Sequence, residues 1–275
     1  NENLFIKKVI SNNKLPSFKR NLGVEHSKKD FLIFTDDDAF LDNNYLKYAE
    51  QYFKEGYLCF GGPQLTPKNE TFYGKLSGNF YENLFFNPFY YRYKKLNKKI
   101  IKSVPELPTV NFCIKKEIFE KTDGFNLKFW PGEDSVICNQ IIMNGNKIYY
   151  FSNLCVYHYR RSTIFKHFKQ ISRYGYNRGY LIFKLKKSFS FFYIMPIIFF
   201  RLVLLSFLFG YMKFLFILFL TYFGIASIYN FIITNKFFLS VLLFPLSIIS
   251  ILLYCINLLN GLITSSNKKK ISMGR

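Results

Sequence analysis

Three apolar stretches near the end of the chain, residues 189–209, 214–234 and 237–263, restrict its fold more than any other feature. Each is near or above the ~20 residues that cross a bilayer as a helix. In hydrocarbon a backbone must satisfy its own hydrogen bonds, which leaves helices as the spanning form. The stretches therefore read as membrane segments rather than core. Pro196 and Arg201 interrupt the first, and the basic runs at 184–187 and 268–270 both favour the cytoplasmic side. Three full crossings cannot satisfy both runs. Either the first stretch is re-entrant or interfacial, leaving two crossings, or the C-terminal lysines lie outside; the former is favoured.

Charge follows the same division. The chain carries 38 Lys and Arg against 17 Asp and Glu, a formal charge of +21. Residues 1–134 hold 21 of the bases and all of the acids, and no acidic residue follows Asp134. Ten bases lie between residues 135 and 192, directly before the apolar region, as in a cytoplasmic juxtamembrane segment on an anionic leaflet. This placement points to membrane lipids as the partner and not to nucleic acid. The five cysteines are scattered without CxxC spacing, so neither a zinc site nor a disulfide framework is indicated, and a reducing compartment is expected. The sequence opens at Asn1 without a methionine and reads as N-terminally truncated.

Before the apolar region, strand and helix patterns alternate. Residues 31–35 form a short apolar run bounded by charge, expected as a parallel strand covered on both faces, and it ends in Asp36-Asp37-Asp38. Asp42 can cap a helix with Leu46, Ala49, Tyr52 and Phe53 at helical spacing, closed by Gly56. A strand at 57–60 stops at Gly61-Gly62-Pro63. The aromatic stretch 72–93 reads as helix interrupted at Asn87-Pro88. Strands are expected at 110–114, 147–151 and 155–158, with a short helix at 115–122 and another from Glu133 to Gly145. Such alternation implies an α/β sheet layered with helices, with ligands at the carboxyl ends of strands.

Three adjacent carboxylates at a strand end repel one another unless a cation sits among them. In an extended backbone Asp36 and Asp38 point one way and Asp37 the other, a D-x-D arrangement suited to Mg²⁺ or Mn²⁺. An ion there could bridge the phosphates of a nucleotide sugar; an acidic turn capping a helix is the plain alternative. Trp130-Pro131-Gly132-Glu133-Asp134 delivers two carboxylates at a helix start, where the dipole is expected to lower their pKa and keep them ionised. Asp134 could accept a hydroxyl proton and Trp130 could form a sugar platform, against ordinary helix capping. His158, followed by Arg160 and Arg161, could ligate the same metal or be structural. Gln170, Arg173 and Tyr174 could grip a diphosphate and stack on a ring, or lie on an interfacial helix.

Taken in order, these pieces resemble inverting family 2 glycosyltransferases of the GT-A fold, from about Lys19 to Gly179. Lys19-Arg20-Asn21-Leu22-Gly23 is similar to the family's Ala-Arg-Asn-x-Gly segment, and residues 31–39, FLIFTDDDA, to its metal-binding strand. Asn111 stands in a stretch similar to that before the acceptor loop, and Glu133-Asp134 matches the Glu-Asp pair whose Asp is the catalytic base. Gln170-Ile171-Ser172-Arg173-Tyr174 resembles the family's Q-x-x-R-W motif, with Tyr174 in the Trp position.

The resemblance implies a mixed sheet flanked by helices and a C-terminal transmembrane region. It implies metal and donor diphosphate at Asp36 and Asp38 and catalysis by Asp134; joined with the readings of the residues above, the expected site adds His158 as a metal ligand, Glu133 beside the base, donor contacts from Arg20, Asp37, Gln170 and Arg173, and substrate contacts from Asn111, Trp130 and Tyr174. The partners would be a nucleotide-diphospho-sugar donor and a glycan or lipid-linked acceptor, at the cytoplasmic face of the inner membrane, with a multi-pass anchor. The family's opening nucleotide-binding strands have no counterpart here. The expected organisation is a partial catalytic domain at 1–162, a basic amphipathic interfacial segment at 163–188, a transmembrane region at 189–263 and a basic tail at 264–275. An inactive membrane-anchored fragment and another metal-dependent phosphotransferase remain the alternatives.

Overall fold

The computed structural model describes residues 6–96, 98–129, 131–182, 184, 185, 192 and 195–273. Helix α1 (Pro16–His26) precedes β1 (Phe31–Phe34), β2 (Ala39–Leu41), α2 (Tyr45–Lys54), β3 (Cys59–Gly61) and β4 (Gln64–Leu65). After α3 (Phe72–Glu82) come β5 (Ile101–Ser103), β6 (Phe112–Lys115), α4 (Lys116–Glu120), α5 (Glu133–Met143), β7 (Tyr149–Phe151) and β8 (Val156–His158). Among the described residues there follow α6 (Ile164–Leu181), α7 (Met195–Leu208), α8 (Met212–Thr234) and α9 (Phe237–Met273).

The main sheet has the order β1-β6-β3-β7-β5 and a second runs β2-β8-β4. Both are mixed: β3 runs parallel to β7 and β4 to β8, and the other pairs are antiparallel. Side-chain alternation divides the core in two. Cys59, Phe112, Ile114 and Tyr150 join Ile137, Cys138 and Ile141 of α5 on one face. Phe60, Cys113 and Phe151 join Tyr45, Ala49 and Tyr52 of α2 on the other.

Several sequence expectations change. The 31–35 strand is antiparallel to β6 and lies at the sheet edge, so Phe31 and Ile33 stay 42% and 37% exposed instead of covered on both faces. Helix α2 starts at Tyr45; Asp42 accepts from the Asn44 N–H at 3.2 Å, and Tyr45 takes the core position while Leu46 faces outward. The aromatic stretch is helical only to Glu82. Asn83 then turns its amide to the Ala226 carbonyl at 3.0 Å and accepts from the Phe85 N–H at 2.9 Å, which ends α3 ahead of Asn87-Pro88. Val110 and Asn111 form a 3₁₀ turn ahead of β6.

Among the described residues two helices, α8 and the 237–266 part of α9, are long and apolar enough to cross a membrane. Helix α7, with 14 residues, reaches only about 21 Å. Helix α6 packs one face closely on α9. A Cβ on Gly175 or Gly179 would collide with the carbonyl of Tyr254 or Leu258, and one on Gly261 with that of Tyr176. Small residues thus let the two backbones approach closely. His167 closes the same seam, 1% exposed, with Nδ1 2.8 Å from Ser77 Oγ on α3 and Nε2 3.0 Å from Ser250 Oγ on α9.

Candidate active site

The tripeptide Asp36-Asp37-Asp38 lies in a turn closed by the Ala39 N–H on the Asp36 carbonyl at 3.2 Å. Pairing of β2 with β8 sets Ala39 opposite His158, and Tyr159 N–H donates to the Asp38 carbonyl at 3.0 Å. Local sheet register therefore brings residues far apart in sequence together. His158 Nε2 lies 3.0 Å from Asp38 Oδ1. One ligand atom from each of Asp36, Asp38 and His158 falls within 4.8 Å of the others, while Asp37 is exposed outside the group.

Gln64 completes the arrangement. Its Oε1 is 2.8 Å from His158 Nδ1, a contact that orients the ring with Nε2 toward the two carboxylates. A carboxylate pair with an oriented imidazole fits a hard divalent cation. The hydrogen bond from His158 lowers the Asp38 pKa; burial opposes this and Arg161, 3.6 Å away, assists.

Arg20, on α1, links this group to the second acidic motif. Its guanidinium donates from Nη2 to Asp36 Oδ1 and from Nη1 to Glu133 Oε1, both at 2.7 Å. Burial opposes the charge, but the two carboxylates raise its pKa further. Its neighbour Asn21 clasps Phe125 at both backbone groups, donating to the carbonyl at 2.9 Å and accepting from the N–H at 2.8 Å. That clasp fixes α1 against the loop leading to α5.

Gly132, at φ +122°, turns the chain into α5, and its N–H donates to Glu133 Oε2 at 2.9 Å. Asp134 Oδ1 accepts from the Ser135 N–H at 2.8 Å. The helix start was expected to depress the Asp134 pKa. Instead it is raised to about 7, first by burial and then by the charges of Glu133 and Glu106, which outweigh the Ser135 bond and Arg178. Desolvation and two like charges exceed the partial charge of one helix end.

Gln170 donates to the Tyr174 hydroxyl at 2.9 Å, and both line a small cleft with His158, Arg160, Tyr81 and Tyr93. Arg173 is exposed on the same helix. Asn111, expected as a substrate contact, is 1% exposed; it donates to the Pro63 and Leu154 carbonyls at 3.0 and 2.8 Å and accepts from Tyr45 at 2.9 Å, so its amide pins core loops. Trp130 lies outside the described residues. Sequence reasoning missed Gln64 and Glu106, since neither sits in a pattern that marks its partner, and it saw Asn21 only as part of the segment 19–23, without its partner Phe125.

The fold is a mixed α/β, GT-A-like sheet with flanking helices and two long apolar C-terminal helices. Comparison with curated proteins gives no match. Among solved structures, S. aureus TarS 1–349 in complex with UDP-GlcNAc is similar at 13% identity and a TM-score of 0.41, over 91% of this chain and 73% of that one. The family described as Glycosyltransferase like family 2 matches residues 7–177. That match spans more than half of the sequence and contains both acidic motifs, and the chain belongs to this family of glycosyltransferases.

Proposed function

We propose that this protein transfers a sugar, with inversion, from a nucleotide-diphospho-sugar to a lipid-linked or polysaccharide acceptor at the cytoplasmic face of a membrane. Transfer from a nucleotide sugar is the reaction of the family. The observation that carries the finer reading is the convergence of Asp36, Asp38 and His158 beside Arg20, which bridges to the helix start bearing Asp134.

Asp36, Asp38 and His158 would hold Mg²⁺ or Mn²⁺, whose charge would offset that of the departing diphosphate. Gln64 would accept the His158 Nδ1 proton and leave Nε2 for the ion. Asp134, with a pKa near neutrality, takes the proton of an acceptor hydroxyl as its oxygen attacks the anomeric carbon. The bond to the diphosphate breaks on the opposite side, and one displacement inverts the centre. Arg20 keeps the two acidic groups in register, and Gln170, as a donor contact, and Tyr174, as a substrate contact, line the same cleft as His158.

Membrane attachment is supported by the length and composition of α8 and α9 and by their uncovered apolar side chains. Phe216, Ile217 and Ile228 are each 60% exposed and Ile232 is 74% exposed. An apolar surface of that kind needs lipid or protein cover. Full-length Asp134→Asn should lose transfer and keep donor binding. Normal turnover in that variant would remove the base assignment.

A further inference from the structure

A third carboxylate belongs to the Asp134 neighbourhood and has no part in the scheme above. Glu106, between Pro105 and Pro108, is 6% exposed. Its Oε2 accepts from Ser135 Oγ at 2.8 Å and from Arg178 Nη1 at 3.1 Å. Its Oε1 accepts from Arg178 Nη2 at 2.8 Å and lies 3.6 Å from Arg92 Nη1. Ser135 follows Asp134 in the first turn of α5, and its N–H holds the Asp134 carboxylate. Arg178 projects from α6 between Gly175 and Gly179, the two positions that seat α6 on α9. One carboxylate therefore joins the helix start bearing Asp134 to the helix braced on the apolar hairpin.

We propose that Glu106 is a positioning residue for the transfer reaction, fastening the first turn of α5, and Asp134 with it, to α6 through Ser135 and Arg178. The inference rests on reading Asp134 as the base. A buried ion pair is weak evidence for stability in itself, because desolvation offsets most of its attraction. Its value here is geometric: the proton acceptor is held from the α6 side by Glu106, and its neighbour Glu133 from the α1 side by Arg20.

Charge acts alongside the tether. Glu133 on α5 and Glu106 disfavour the ionised form of Asp134, Arg178 on α6 favours it, and the phenols of Tyr93 and Tyr174 also face it. Removing the Glu106 charge deletes one repulsion and leaves Arg178 less neutralised, and both changes lower the proton affinity of Asp134. Removing the Arg178 charge acts in the opposite direction. The opposed shifts report the charges of the pair at Asp134, and the fall in kcat reports the tether.

The test is the pH profile of kcat for the full-length protein and its Glu106→Gln, Arg178→Gln and Ser135→Ala variants. Glu106→Gln should lower kcat roughly ten- to a hundredfold, as displaced catalytic groups do, leave KM for the donor near its wild-type value, and move the acid limb to lower pH. Arg178→Gln should move that limb to higher pH, and Ser135→Ala should lower kcat with the limb in place. If Glu106→Gln does not accumulate, Glu106→Asp retains the charge and shortens the tether, so kcat should fall without a limb shift. Limbs that stay at the wild-type position in both Gln variants, or move in the same direction, overturn the proposal. Failure of the base reading is separate: it appears as transfer by Asp134→Asn, whereas an inactive Asp134→Asn with unmoved limbs in the Gln variants sinks only the role of Glu106.

Discussion

Replacing Asp134 with Asn should remove activity and stabilise the fold, and the gain should depend on pH. The folded pKa is raised from 3.8 to about 7, so the native state binds more protons than the unfolded chain between those values. Stability contributed by the protonated acid is therefore full below pH ~4 and declines as pH rises through 7. At about 1.36 kcal/mol per pH unit across that interval, the loss above pH 7 is on the order of a few kcal/mol. Asn has no charge to bury. The assay is the difference in melting temperature between Asp134→Asn and wild type in detergent from pH 4.5 to 8, in which contributions from other groups cancel. A difference that grows to several degrees above pH 7 is expected. No difference, or the same difference at every pH, refutes the raised pKa and the desolvation argument behind it.

Other outcomes follow from the same geometry. His158→Ala should raise the Mn²⁺ concentration for half-maximal activity at least tenfold, measured by titrating metal into chelator-treated protein. Gly179→Leu places a side chain against the Leu258 carbonyl and should sharply reduce folded protein on size exclusion, whereas Gly224→Leu on α8, with open space around it, should be tolerated. Burial depresses the His167 pKa from 6.5 to about 4, so wild type should lose roughly 3 kcal/mol as pH falls from 6.5 to 4. His167→Gln should flatten that acid-side decline in urea denaturation.

How far the sequence reveals the site depends on the range of the interactions. Asp36, Asp38 and the Glu133-Asp134 helix start are visible because each is a local run of unusual chemistry, and α5 follows from Gly132 and Gly145 at its ends. The strands at 149–151 and 156–158 are visible in their apolar runs. Partnership is not visible. Arg20 meets Glu133 across 113 residues and His158 meets Gln64 across 94, contacts set by sheet register and not by any nearby pattern. The edge position of β1 is hidden for the same reason, since an apolar run does not state how many neighbours it has. Helix α6 hides a partner of another kind: its amphipathic pattern does not reveal that the glycines on one face seat it on α9. The Asp134 pKa could not be read from a helix start alone, because burial and the approach of Glu106 are tertiary facts.

The central claim is that Asp36 and Asp38 hold the cation that engages the donor diphosphate. Calorimetric titration of nucleoside diphosphates with Mn²⁺ into the full-length protein tests it most directly. Saturable heat with at least one of UDP, GDP and dTDP, lost on chelation and in Asp36→Asn/Asp38→Asn but retained in Asp134→Asn, is the predicted result. Heat that survives in Asp36→Asn/Asp38→Asn would contradict it.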